Sequence, residues 1–383
     1  MQKLKTRLYT ITLFLAGIFV LAALVGMLGM IENAEAQPPG AETRITFSYG
    51  NQTNPAVSIS YIVWQDDRDY DTTGWDIYMY NLNTNNETVV CKAPGNQTNP
   101  AIYGDHIVWQ DARDMSANGW DIMMYEVSSG RTTNITKNRY NQTNPAIYGD
   151  KIVWQDDRNW MTSGWDIYMN DTQTKNESRI SDDFADDLNP DIYHNKVVWI
   201  ATGDAIPDVF MNDTSTGQRS QITYDQMDKK KVSIHGNYVV WDNARNLQVD
   251  GWDTYLYSFP AAMESRLTIN PTNQTEPDIY GDLVVWTDTR NMALGSEDIY
   301  MYNLVTGEQV RVTANLQAQN NASIAGDIIV WQDERNIAVS GWDIYMFRID
   351  SDHDGVTDSF DAFPYNPTDY YDSDTDGIGD NAD

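Results

Sequence analysis

Positive charge, histidine and cysteine are scarce in this chain. Among its 383 residues, 25 are Lys or Arg and 56 are Asp or Glu, a formal net charge of −31. That balance repels phosphate backbones and anionic headgroups, which argues against nucleic acid or anionic lipid as a partner. The lone Cys91 excludes an intramolecular disulfide, so the fold must be held by its sheets, and a chain this long can bury enough surface for that. The four histidines, His106, His194, His235 and His353, nowhere stand in His-x3-His or His-Glu-x-x-His spacing, which argues against a zinc enzyme. Gly-x-Ser-x-Gly turns and phosphate-binding glycine loops are missing as well. Helix signals are absent from the repeats described next, where no apolar residues recur at three and four over a dozen positions.

What is present is repetition. Asn-Pro-Ala-Ile-Tyr-Gly-Asp-Lys-Ile-Val-Trp-Gln-Asp-Asp-Arg, a polar loop and Gly-Trp-Asp-Ile-Tyr-Met form one copy, and variants follow it along the chain. The central tryptophan recurs at Trp64, Trp109, Trp154, Trp199, Trp241, Trp286 and Trp331, in steps of 45 residues with one of 42. In the third copy Ala146–Tyr148 reads as a strand ending at the hairpin signal Gly149-Asp150. Lys151–Gln155, Trp165–Met169 and Glu177–Ile180 read as three more. Four short strands at a period of roughly 40–45 residues predict one propeller blade per repeat, hence an all-β, seven-bladed β-propeller.

The ends of the array predict how the ring closes. Glu42-Thr43-Arg44-Ile45-Thr46 resembles the fourth-strand segment Glu264-Ser265-Arg266-Leu267-Thr268 but precedes any complete repeat. The seventh copy stops after its third strand at Tyr345-Met346-Phe347. Pairing Thr43–Phe47 with the blade of Trp331 supplies the missing strand and hides two sheet edges.

Before the array, Lys3, Lys5 and Arg7, an apolar run from Leu8 to Ile31, and Ala34-Glu35-Ala36 read as a secretory signal over residues 1–36. The run is also long enough to span a bilayer, so an uncleaved anchor is the alternative and the sole membrane contact expected. Either reading places the propeller, residues 37–349, outside the cytoplasm at the cell surface. Ten Asn-x-Ser/Thr sequons, from Asn51 to Asn321, agree with export, although an Asn- and Thr-rich repeat also multiplies them by chance.

From Asp350 the composition turns acidic. Asp350, Asp352, Asp354, Gly355, Asp358 and Asp361 occupy positions 1, 3, 5, 6, 9 and 12 of a calcium loop, and Asp372, Asp374, Asp376, Gly377, Asp380 and Asp383 repeat them. Backbone carbonyls of Val356 and Ile378 would fill position 7. Alternating carboxylates without Lys or Arg repel one another unless a cation draws them together. Flanking helices are missing and position 12 is Asp. With the Phe363-Pro364-Tyr365-Asn366-Pro367 spacer, residues 350–383 instead resemble thrombospondin type 3 repeats, a likeness that implies calcium and a stalk-like role.

The blade motif, Asn-Pro-Ala-Ile, Ile-Val-Trp and Asp76–Leu82, resembles the TolB-like propellers over residues 42–349. With the N-terminal segment and the tail, the chain is similar to archaeal or bacterial cell-surface propellers of the surface-layer type. The likeness speaks for the fold more than for the function.

A catalytic constellation should break the sevenfold pattern, since one substrate needs one site. The strand aspartates Asp76, Asp121, Asp166, Asp208, Asp253, Asp298 and Asp343 recur in every copy, and Arg68, Arg113, Arg158, Arg245, Arg290 and Arg335 in six. Both sets read as scaffold, paired to satisfy buried groups. Two breaks stand out, Ile200–Asp204 in the fourth copy and Lys229-Lys230-Lys231 in the fifth. No catalytic residue is assigned. The expected function is a non-catalytic, monomeric surface module that binds a cell-envelope protein or glycan, with calcium in the tail. A secreted polysaccharide hydrolase or lyase on the same scaffold is the alternative, and a cluster of unpaired carboxylates in the central funnel would favour it.

Overall fold

The computed structural model describes residues 40–202, 206–291, 297–352, 354, 356–358, 361–372 and 379–380. Residues 1–36, expected to be a signal or an anchor, therefore lie outside the described residues. Seven antiparallel four-stranded sheets follow one another, and each inner strand touches the inner strands on both sides around a complete circle. The molecule is a seven-bladed β-propeller, as the period predicts. In the third blade the strands run Gln142–Tyr148, Lys151–Asp156, Asp166–Asp171 and Asn176–Arg179, from channel to rim. The single short helix among the described residues, Met115–Asn118, is one turn in a loop of the second blade.

The ring closes by the N-terminal strand. Gly40–Arg44 pairs antiparallel with Asp343–Ile349, from Gly40 opposite Ile349 to Arg44 opposite Tyr345, and becomes the outer strand of the seventh blade. The expected segment, Thr43–Phe47, starts three residues too late, because the pairing begins at Gly40 and ends at Arg44. Ile45 is buried and its N–H donates to Ile344 O at 2.8 Å.

The repeating tryptophan explains the repeat. All seven side chains on the second strands are fully buried between blades. Six lie about parallel to an aromatic ring of the third strand, as Trp64 does with Tyr78 at 6.3 Å between centroids. In five blades the indole N–H donates to the aspartate two residues on, as Trp286 does to Asp288 at 3.0 Å. A large apolar surface with one satisfied polar atom suits a sheet-to-sheet contact.

The recurring charges are scaffold, with partners that the spacing alone does not reveal. The loop arginines pair mainly with the aspartates that cap the indoles, as Arg68 does with Asp66 at 2.6 Å and Arg335 with Asp333 at 2.6 Å. The third-strand aspartates instead meet outer-strand arginines, as in Arg179–Asp166, Arg266–Asp253, Arg311–Asp298 and Arg44–Asp343.

The pattern breaks at the fourth and fifth blades are absorbed by the same network. Ala201 stands where other blades carry the capping aspartate, and Asp187 of the inner strand takes over, accepting from the Trp199 indole at 2.7 Å. The lysine run does not form a basic patch. Lys229 is buried on Asp225 and the carbonyls of Pro207 and Met227, and Lys230 lies over the Trp252 ring at 4.0 Å. Gly203 and Asp204 of the shortened loop lie outside the described residues.

Candidate active site in the central channel

The seven inner strands enclose a channel with a cavity of about 1130 Å³. Three tiers of side chains line it, because each inner strand presents the same alternate positions to the axis.

The first tier is a chain of amides. Asn54, Asn99, Asn144 and Asn189 donate one to the next at 2.7–2.8 Å, Asn189 ending on Lys230 O, and Asn321 donates to Asn54 at 2.6 Å. Each of these five asparagines has a left-handed backbone, φ 50–54°, at the bulge before the proline or alanine of its strand. Asparagine tolerates that conformation and keeps its amide for the neighbour. Lys231 and Glu276 interrupt the series in the fifth and sixth blades.

The second tier carries the chemistry. Its positions hold Ala56, Ala101 and Ala146 in the first three blades, then Asp191, Ser233, Asp278 and Ser323. Ser233 Oγ lies 3.1 Å from Asp191 Oδ2 and 2.8 Å from Asp278 Oδ1, so those two carboxylate oxygens stand within about 6 Å of each other. Asp191 also accepts from the Ile192 and Ile234 N–H groups at 2.8 Å, and Asp278 from Ile324 N–H at 3.0 Å. Burial in the channel wall, with some help from Asp278, pushes the Asp191 carboxyl up to about 6 against the lowering effect of its hydrogen bonds. One hydroxyl proton can serve one carboxylate. The two short contacts of Ser233 are both satisfied when Asp191 holds a proton, donates it to Ser233, and Ser233 donates to Asp278.

The third tier is an arc of rings. Tyr103, Tyr148, Tyr193, His235 and Tyr280 follow one another across five blades with centroids 4.3–4.8 Å apart. Ala325 and Ser58 at the equivalent positions leave the arc open over the seventh and first blades. His235 accepts from Gly281 N–H through Nδ1 at 2.9 Å, and burial lowers its pKa, so the neutral ring carries its proton on Nε2. His194 meets the Tyr148 hydroxyl at 2.9 Å.

The sequence reading assigns no catalytic residue, and the second tier is where carboxylates depart from the repeated motif. The signal was legible: Asp191 and Asp278 replace the alanine of the Asn-Pro-Ala-Ile motif. They were passed over because aspartate is everywhere in this chain.

In the tail, the described residues bring Asp350, Asp352 and Asp354 together, with ligand oxygens all within 4.8 Å. The Oδ2 atoms of Asp352, Asp354 and Asp361 are buried with no hydrogen-bond partner, an arrangement that suits a divalent cation. Asp358 departs from its expected place, since its two oxygens accept from the N–H and hydroxyl of Ser351, each at 2.7 Å. The Val356 N–H donates to Asp354 at 2.7 Å. Of the second set, Asp372 and Asp380 are described, whereas Asp374, Asp376, Ile378 and Asp383 lie outside the described residues.

No protein-family model matches the chain, and no curated protein matches it in sequence. Its fold is similar to that of several solved propellers. The β-propeller domain of the Trilobed protease from Pyrococcus furiosus shares 15% identity over 79% of this chain and 94% of that one, with a TM-score of 0.61. An oligogalacturonate lyase from Vibrio parahaemolyticus shares 12% identity over 82% and 95%, with a TM-score of 0.61, and a second oligogalacturonate lyase was solved in complex with manganese. Pyrococcus horikoshii acylaminoacyl peptidase shares 10% identity over 79% of this chain and 52% of its own length, with a TM-score of 0.58. TolB from Acinetobacter baumannii is a looser relative in shape, at 12% identity and a TM-score of 0.44. The class these likenesses define is the β-propeller.

The expectation of a non-catalytic binding module is corrected by these findings. The similar structures include lyases and peptidases, and the channel holds an asymmetric pair of carboxylates, a point the sequence left open, here hydrogen-bonded through Ser233.

Proposed function

We propose that the protein is a carbohydrate-cleaving enzyme, working in the central channel on a chain of sugars. The observation that carries this is the Asp191–Ser233–Asp278 bridge, where two carboxylates that break the sevenfold pattern meet inside a cavity. Asp191, whose carboxyl is raised to about 6 by burial, is the general acid that protonates the leaving oxygen. Asp278, which accepts from Ser233 and Ile324 N–H, faces the anomeric carbon as the bond to the leaving oxygen breaks and water adds in its place. The ring arc offers faces and edges for sugar C–H groups, and the amides offer donors and acceptors for hydroxyls. Hydrolysis fits this lining better than elimination from a uronate, which needs cations around the substrate carboxylate. Of the two lysines in the lining Lys230 lies over Trp252, which leaves Lys231 alone, and no arginine lines the channel among the described residues.

The experiment is a screen of the purified protein on neutral, amino-sugar and uronate polysaccharides, following reducing ends and the ultraviolet absorbance of unsaturated products. New reducing ends without that absorbance, lost in Asp191→Asn, support the reading. Absence of turnover on every class refutes it.

Calcium as the tail cation, the thrombospondin-like stalk and an exported, cell-surface setting belong to the same proposal. They are supported by the loop spacing, the unpartnered oxygens of Asp352, Asp354 and Asp361, and the basic then apolar N-terminal sequence.

A further inference from the structure

The cation loop grows directly out of the strand that closes the ring. Ile349, the last residue of Asp343–Ile349, is buried with Tyr345 and Phe347 in the core cluster of the seventh blade. Opposite it stands Gly40, the first residue of the closing strand. The fit there is close, because a Cβ at Gly40 would overlap the Arg348 carbonyl oxygen and the Phe347 ring. One residue on, Asp350 is buried and begins the acidic loop. The loop then returns to its own root, where the Asp358 N–H donates to Ile349 O at 3.1 Å and Ser351 ties down the Asp358 carboxylate. From the other side, Ile349 N–H donates to the Asp327 carbonyl in the first hairpin of the same blade at 2.9 Å.

Three carboxylates in this loop are built alike. Asp352 accepts from Asp354 N–H, Asp354 from Val356 N–H and Asp361 from Phe363 N–H, each through Oδ1. Each leaves Oδ2 buried without a partner. Asp361 is 9% exposed. Buried unpaired oxygens of one sign push the loop apart unless a cation joins them.

We propose that a divalent cation held by Asp350, Asp352, Asp354 and Asp361 fastens the closing blade, so that cation binding and pairing of Gly40–Arg44 with Asp343–Ile349 stabilise each other. The proposal rests on the cation reading of the tail and goes beyond it. Without the cation, repulsion loosens the loop at Ile349, the point where the closing strand begins to pair. That strand is largely exposed and five residues long, and its pairing with the last strand is what closes the ring. Linkage makes the coupling reciprocal: a factor gained in strand pairing appears as the same factor in cation affinity.

Hydrogen exchange on the whole protein tests this, with calcium as the probe, a chelator as its counterpart, and calorimetry to read binding. Calcium is expected to slow exchange across residues 41–46 by about tenfold or more, while residues 152–156 of the third blade do not change. Asp352→Asn with Asp354→Asn is expected to abolish that protection. Glu42→Ala with Arg44→Ala, which loosens the strand without touching the loop, is expected to weaken calcium binding by a similar factor. Calcium bound calorimetrically with unchanged exchange at 41–46 overturns the coupling and spares the cation site. No heat of binding at calcium up to about 10 mM overturns both.

Discussion

Asn321 donates its side-chain amide to Asn54 Oδ1 at 2.6 Å, joining residues 267 positions apart across the seam where the last blade meets the first. Asn54 passes the chain on, donating to Asn99 at 2.8 Å and to Gln65 at 3.2 Å, from a left-handed backbone with φ 51°. Asn54→Ala removes these bonds and puts an alanine in a conformation it disfavours. A loss of about 1–3 kcal/mol is expected in denaturant unfolding. Asn54→Gly loses the same bonds without the strain and should cost less. Equal losses in both variants would place the whole effect in the hydrogen bonds.

The channel pair makes a sharper demand. Asp191→Asn and Asp278→Asn keep size and shape, so each should fold and melt within a few degrees of the parent while losing glycan cleavage by about a hundredfold or more. Ser233→Ala, which removes the bridge and leaves both carboxylates in place, should cost less turnover. Undiminished cleavage in Asp191→Asn would remove this residue from the mechanism.

Much of the fold was legible because repetition amplifies weak signals. One Ile-Val-Trp strand is ambiguous, yet seven tryptophans at nearly constant spacing, all buried between blades, are not. The closing strand was legible from Glu42–Thr46, which carries the outer-strand pattern ahead of the array. The pairing of charges was not. Arg68 and Asp76 recur at fixed intervals, but spacing cannot tell that Arg68 turns back to Asp66 while Asp76 is hydrogen-bonded by Thr73. The channel site was hidden for a related reason. Asp191 and Asp278 lie 87 residues apart and meet only because Ser233 of the blade between them faces the same axis.

Stability should rise as pH falls from 8 to 5. Asp76 and Asp121 are buried third-strand aspartates with no outer-strand arginine, their neighbours across the sheet being near Val89 and Asn134. Burial pushes both carboxyls up to about 6, and Asp191 also to about 6. Between about 4 and 6 the folded chain therefore holds protons that the unfolded chain releases. The resulting stability is complete below the unfolded carboxylate range and is lost as pH rises through 6. Asp105, Asp171, Asp213 and Asp225 are shifted down and act oppositely only below about 4, while His235, lowered by burial, offsets part of the gain below about 6.5. Melting temperatures across pH 4–8 check this, and Asp76→Asn with Asp121→Asn should flatten the profile. A profile that falls from pH 8 to 5 would show that other groups govern it.

The seven buried indoles should not be equivalent, and the fifth blade offers the comparison. Trp286 donates to Asp288 at 3.0 Å, whereas the Trp241 indole N–H is buried with no partner, because Asn243 stands where the capping aspartate belongs. Both tryptophans are fully buried and both stack on a tyrosine at 6.2 Å, so the packing lost on change to phenylalanine is nearly the same. Trp286→Phe also deprives a buried carboxylate of a donor, which costs about 1–3 kcal/mol more. Trp241→Phe removes an unsatisfied N–H along with the larger ring, and that relief offsets part of its packing loss. Urea unfolding of the two variants should therefore place Trp286→Phe at least about 1 kcal/mol below Trp241→Phe. Equal midpoints, with equal slopes, would mean that the indole hydrogen bond contributes nothing and that burial alone keeps tryptophan at these seven positions.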